Sequence, residues 1–337
     1  MQSISGAWRA LSSLCQVAIG TSQPVTDVLP FGGTDLFEPE PGQFFTNKDE
    51  VTGGLTPTKH QLLNMKMAGK HKAKATPTSV ALFVSMALGN DTAAIIGTTT
   101  AYTHKSSVSA AIVSLPCRTL VENDGAKQFS YVGVACTGFT LSGQRDGYVE
   151  LEADLIGRGS EAADATAQPA ASAESYLTYQ NCDFSPGGTY DGTAVTGGAS
   201  IAARLVSFKL DYKNGAKGIY AVGDASGYLA DIRRGQMVDI SVEAEVEIDN
   251  TRAERAGLLA GTEQVMHIPI VGGVANGTAH YGVDIVLPRV VLSAAKKAAK
   301  DGILQVAGKY TILTDPTYGS MDIRVTNLKA TSYAATA

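Results

Sequence analysis

The chain has one tryptophan, and aromatics make up only 7% of its 337 residues. Charged residues are 18%, against ~25% in an ordinary soluble domain. Its five histidines, His60, His71, His104, His267 and His280, fall in neither HxxxH nor HExxH spacing, so no helix-borne zinc site is written here. No serine sits in a GxSxG elbow, and no GxxxxGK[ST] or GxGxxG run follows a strand pattern. Enzyme chemistry, a metal and a cofactor are therefore not expected. Cys15, Cys117, Cys136 and Cys182 lack paired spacing and read as free thiols of a reducing compartment. With net charge -5 and pI near 5.6, the chain has no basic field to hold nucleic acid by phosphate neutralisation. The longest mostly apolar run, Val80 to Leu88, is far short of the ~20 residues that cross a bilayer. Met1 to Leu14 lacks the charged start and apolar core of a signal peptide, so synthesis in a cytoplasm is expected, with no membrane partner.

What is abundant is glycine, 36 residues, roughly a tenth of the chain against a usual ~7%. Many short alternating runs separated by turn residues indicate a mainly β protein. One run is unusually regular. Val238, Ile240, Val242, Ala244, Val246 and Ile248 alternate with Asp239, Ser241, Glu243, Glu245, Glu247 and Asp249. Strand side chains alternate between faces, so this ribbon has one apolar and one acidic face. A row of like charges disfavours the strand, and a chain that keeps one is building a surface. Glu150, Glu152 and Asp154, alternating with Val149, Leu151, Ala153 and Leu155, form a shorter acidic row.

Residues Ser160 to Ser172, small and without period, mark a linker. This divides the chain into units 1–159 and 174–337, joined by 160–173. The units follow a common order of elements. In the first, a loop from Glu38 to Thr58 leads to a strand near His60 to Ala68. A short helix follows, with Thr76 as N-cap, Pro77 at the first turn, Gly89 as C-cap, and Val80, Phe83, Val84 and Ala87 as its buried stripe. In the second, a loop from Asn214 to Gly235 leads to the acidic strand, then to a helix from Thr251 with a Thr251/Glu254 capping box and a stop at Gly261. Each unit ends in a hairpin with Leu-Ser before its turn and Asp-Gly in it: Leu141-Ser142 with Asp146-Gly147, and Leu292-Ser293 with Asp301-Gly302. The pattern predicts an internal duplication. Lys59, Lys66, Lys70, Lys72 and Lys74 near the first helix, and Lys296, Lys297 and Lys300 at the second hairpin, read as solvated or subunit-facing residues.

The ordered set of motifs resembles the major tail tube proteins of long-tailed (siphovirus-like) bacteriophages. It comprises SSLCQVAIGTSQPVTDVLPF (12–31), TPTSVALFVSMALG (76–89), AYTHKSSVSAAIVSLPC (101–117), YVGVACTGFTLSG…DGYVELEADLIGRG (131–159) and VSFKLDYKNGAKGIYAVGD (206–224). The resemblance spans Ser12 to Asn327, and it brings no active-site residue. It implies duplicated β-sandwich or barrel units, each with a short flanking α-helix, that join edge to edge in rings. The stacked rings would make a hollow virion tail tube that contacts tail terminator, tape measure and tail tip proteins. Such proteins are made in the host cytoplasm. The acidic rows then gain a role: Asp239, Glu243, Glu245 and Glu247, with Glu150, Glu152 and Asp154, are expected to line a negative lumen through which DNA slides without specific binding. The two long loops, with Phe44, Phe45, Ile219, Tyr220, Val222, Tyr228 and Leu229, are expected between stacked rings. Duplication favours a homotrimeric ring with pseudo-six-fold symmetry, a homohexamer being the alternative. A carbohydrate-binding or adhesion β-module of a virion or secreted assembly is the competing reading. It needs clustered exposed aromatics, whereas Tyr176, Tyr179, Tyr190, Tyr212, Tyr220 and Tyr228 are scattered.

Overall fold

The computed structural model describes residues 7–30, 37–46, 56, 59–222, 226–235, 237–248, 258–300 and 303–336. In chain order the first strands are β1 (Trp8–Ser12), β2 (Val25–Leu29), β3 (Pro39–Thr46), β4 (His60–Lys74), β5 (Thr92–Ile95), β6 (Tyr102–Ser107) and β7 (Arg118–Asn123). Next come β8 (Gln128–Gln144), β9 (Val149–Gly157), β10 (Glu161–Ala163), β11 (Ser185–Pro186), β12 (Thr189–Tyr190) and β13 (Val195–Thr196). The last are β14 (Leu205–Lys213), β15 (Lys217–Tyr220), β16 (Leu229–Arg233), β17 (Asp239–Glu247), β18 (Glu263–Asn276), β19 (Ala279–Lys300), β20 (Ile303–Ile312) and β21 (Asp322–Asn327). An α-helix, α1 (Pro77–Leu88), stands between β4 and β5.

The long strands form one run in the order β4–β9–β8–β14–β17–β20–β19, every neighbouring pair antiparallel. Within it a motif occurs twice. Residues 128–134 of β8 pair with β7, and residues 135–143 pair with β9. Likewise β19 pairs with β18 through residues 279–291 and with β20 through residues 290–300. The strand after each hairpin, β10 or β21, returns to the first part of β8 or β19. Finally, β4 lies beside β9 as β17 lies beside β20. The duplication expected from the Leu-Ser and Asp-Gly pairs is thus visible as repeated topology. The first parts of β8 and β19 belong to a second layer, β2–β1–β7–β8–β10 and β5–β6–β21–β19–β18–β11. The two layers make the sandwich.

Helix α1 fills the space between the layers, packing on β8, β21, β6 and β19. Its caps are those read from the sequence: the Thr76 hydroxyl and Ser79 form a reciprocal capping box, and Gly89 ends the helix at φ 80. The expected stripe of Val80, Phe83, Val84 and Ala87 is buried, but so are Leu82, Met86 and Leu88. With a sheet on either side, the helix is apolar all round rather than amphipathic. Leu141, Leu151 and Tyr131 of the first unit and Val242, Ile285 and Tyr310 of the second share its hydrophobic cluster. The C-terminal segment closes over this cluster. The Tyr333 amide donates to Asp91 at 2.6 Å, and the buried Arg118 guanidinium donates to the Ser12 and Tyr333 carbonyls.

Several expectations change. The segment 38–58, read as a loop, contains β3, which forms a hairpin with the N-terminal part of β4. The strand expected near 60–68 runs on to Lys74 because its alternation continues beside β9. The loop 214–235 contains a second small hairpin, β15–β16. Most of the helix expected from Thr251 lies outside the described residues, with residues 258–260 helical. The segment 160–173 is anchored at its start. Glu161–Ala163 pair with β8, and the Gln128 side-chain amide donates to Asp164 at 2.8 Å. Beyond it, Glu174 accepts from the Thr78 amide and hydroxyl at the helix start.

Candidate functional site

Residues directly opposite one another across a sheet point to the same face. The register therefore gives the composition of the outer face of the long sheet. One row reads Lys74, Glu150, Ser142, Lys209, Glu243 and Lys309 across β4, β9, β8, β14, β17 and β20. The next reads Lys72, Glu152, Thr140, Asp211, Ser241 and Thr311. The two acidic rows read separately from the sequence thus share one face, parted by β8 and β14. Their alternating partners Leu151, Ala153, Val242, Ala244 and Val246 are buried beneath.

The sequence reading took Lys70, Lys72 and Lys74 as solvated or subunit-facing and set no cation beside these carboxylates. Lys70 contacts Glu152 closely and Asp154 at 3.3 Å, while Lys72 lies 3.5 Å from Glu150. On the other acidic strand, Lys309 lies 3.6 Å from Glu243 and Arg145 lies 2.5 Å from Glu247. Between them Lys209 meets Asp211 at 2.6 Å. The hydrogen bond that Lys70 donates to Glu152, and then the charge of Asp154, holds the Lys70 ammonium above its usual range; Asp211 does the same for Lys209. Each acidic row therefore stands beside cations rather than as a bare negative stripe. The signal was present: Lys209, Asp211 and Lys213 recur every second residue, as do Ala307, Lys309 and Thr311. What was missing was the register that sets them beside the carboxylates. The face is concave over β8, β14, β17, β19 and β20, where Ser142, Lys209, Glu243, Glu245 and Lys309 line a trough of about 610 Å³.

The second set of candidates divides in two. Val222 is fully exposed, and Ile219 and Tyr220 are partly exposed on the β15–β16 hairpin. By contrast Leu229 is 2% exposed, packed with Leu115, Cys117 and Ile232, and Tyr228 lies under the Arg158 guanidinium at 5.6 Å. Leu229 therefore fixes the hairpin to the body, while Tyr228 stays half-exposed beside Arg158. Phe44 and Phe45 belong to β3, opposite Leu62 and Gln61; their side chains lie outside the described set. The Tyr220 hydroxyl donates to the Met65 carbonyl at 2.7 Å, and the Met65 amide donates to Gly227. The hairpin and the projecting start of β4 are thus joined.

Among the described residues no group of histidine, cysteine and carboxylate side chains could hold a metal ion. The four cysteines are free and buried, and burial pushes Cys117, Cys136 and Cys182 up to about 12. The exposed Tyr148 and Tyr176 rings, the kind of pair that stacks on a sugar, hold Lys74 between them at 3.9 and 5.5 Å. No described helix is long and apolar enough to cross a membrane.

A duplicated antiparallel sheet with a polar face, concave over β8, β14, β17, β19 and β20, and a largely buried helix defines a mainly β protein. Residues 13–314 match the family model described as phage tail tube protein. The chain belongs to that family and is a structural protein of the phage tail. A comparison with curated proteins finds no match.

Proposed function

We propose that the chain closes into rings that stack into the tail tube of a long-tailed phage, with the concave polar face toward the lumen. The observation that carries this is the junction between its own two units. Residues 138–143 of β8 pair on one side with β9 and on the other with β14. Beyond its own Leu-Ser pair, β19 pairs with β20 through residues 294–300 and has no second strand there among the described residues. An open edge of this kind invites pairing, and the first unit of a following copy would supply it as β14 does within the chain. Units 1–159 and 174–337 each fill one position, so three copies close a pseudo-six-fold ring; six copies would be needed if one unit stood outside the wall.

For the lumen, the interleaved charges refine the expectation of a negative wall. Affinity for a duplex comes largely from cations that neutralise phosphate. Lysines already engaged by carboxylates in the plane of the sheet offer little of that, so DNA passes without being held. Replacing Glu243, Glu245 and Glu247 by lysine should leave the fold intact, since these side chains point out of the core. It should also make assembled tubes retain DNA at low salt, measured by co-sedimentation. Tubes of the triple variant that bind no more DNA than the parent would remove these residues from the lumen.

A further inference from the structure

The segment that follows β21 is held to the first unit by buried polar contacts, and one of these joins an amine to a carboxylate. Lys329 Nζ lies 2.9 Å from Asp27 Oδ2 on β2, across a separation of 302 residues in sequence. The two side chains are 19% and 15% exposed, whereas Lys70, Lys72 and Lys209, paired on the polar face, are about half exposed. The buried Tyr333 ring covers the Lys329 ammonium at 4.3 Å. Both partners are fixed by their backbones. Asp27 stands opposite Leu11 in the β1–β2 ladder, and its Oδ2 also accepts from the Thr26 hydroxyl at 3.2 Å. The Lys329 amide donates to Asn327 Oδ1, and the Lys329 carbonyl accepts from His104 Nε2 at 2.8 Å. Burial holds the Lys329 amine below its usual range; Arg118 adds to this, while Asp27 and Asp91 oppose it.

We infer that Lys329 and Asp27 condense into an intramolecular isopeptide bond. The inference concerns the folded subunit alone and does not rest on the tube reading above. The ammonium first passes one proton to the carboxylate. The neutral amine then attacks Asp27 Cγ: the Nζ–Cγ bond forms and one Cγ–O bond breaks. The leaving oxygen departs as water, carrying the transferred proton and a second one from the nitrogen. No oxidant or further reactant is needed. Three observations support the step. Burial disfavours charge on both partners, and the neutral amine and neutral acid are the forms that react. The reacting groups are already in contact and held by a strand ladder on one side and two backbone hydrogen bonds on the other, so little freedom remains to be lost on reaching the transition state. The product also has a use. It ties β2 to the segment that seals the core through Tyr333, and a cross-link that closes so long a loop constrains the unfolded chain most.

Mass spectrometry of the purified, folded, full-length chain tests this directly. The intact chain should be lighter than its sequence by one water molecule. Trypsin should no longer cut after Lys329, whose amine is acylated, so residues 325–337 should appear as one peptide joined to residues 10–48. Lys329→Arg keeps a cation beside Asp27 but offers no amine, and should have the full mass. An intact parent chain at full mass, with free peptides ending at Lys329, would overturn the bond. So would a water loss that persists in Lys329→Arg, because dehydration at an Asp-Gly pair such as Asp124-Gly125 or Asp146-Gly147 would then account for it. If Lys329→Arg fails to fold, the peptide map of the parent chain decides alone: the branched peptide supports the bond, and its absence overturns it.

Discussion

His71 shows how a buried side chain ties stability to pH. It lies on the core side of β4, fully buried, with its ring stacked on Phe83 at 4.9 Å. Arg9 donates to its Nδ1 at 3.3 Å, which leaves the hydrogen on Nε2, where the ring has no partner. Burial, and then the Arg9 charge, pull its pKa from 6.5 to about 3. The folded-state value is depressed, so the unfolded chain takes up the proton first. The stability linked to this ring is present above about pH 6.5 and is lost as the pH falls toward 3. A shift of that size corresponds to something on the order of 4 kcal/mol at the acid end. Denaturant titrations of His71→Gln across that window should give a flatter pH dependence than the parent. Equal slopes would mean that other groups carry the acid sensitivity.

At the scale of elements, α1 is the part most legible in the sequence. Its caps depend on local backbone geometry that Thr76, Pro77 and Gly89 set by themselves. Thr76→Ala should therefore cost about 1 kcal/mol. Leu82→Ala should cost roughly 2–5 kcal/mol, because Leu82 is fully buried on the side of the helix that no single-stripe reading predicted. Thermal unfolding of the two variants checks the order; a Leu82 loss no larger than the Thr76 loss would contradict packing on both faces. The alternation of Asp239 to Glu247 was equally legible, since a period of two needs no partner to be seen. What stayed hidden depends on long-range pairing. Nothing near Glu243 in the sequence says that Lys209 and Lys309 lie beside it, and nothing near Leu229 says that it is sealed against Leu115. The β3 and β15–β16 hairpins were hidden for a different reason: glycine, proline and asparagine in these segments read as loop, while the pairing is made by strands of eight residues and fewer.

At the scale of the whole molecule, the proposed ring has the second unit meet the next copy as the first unit meets the second through β8 and β14. The resemblance seen in the ordered motifs and the family match over residues 13–314 concern the kind of protein; the proposed number of copies in a ring rests on the repeated topology. The two halves of the chain are fused through β8 and β14 into one sheet, and in the proposed ring each chain would bring two positions of the wall. The most direct measurement is electron microscopy of single rings viewed along the axis, averaged without imposed symmetry. The account predicts three chains around the lumen, each contributing two similar wall segments and together making a pseudo-six-fold outline. Six complete chains around the lumen would contradict it.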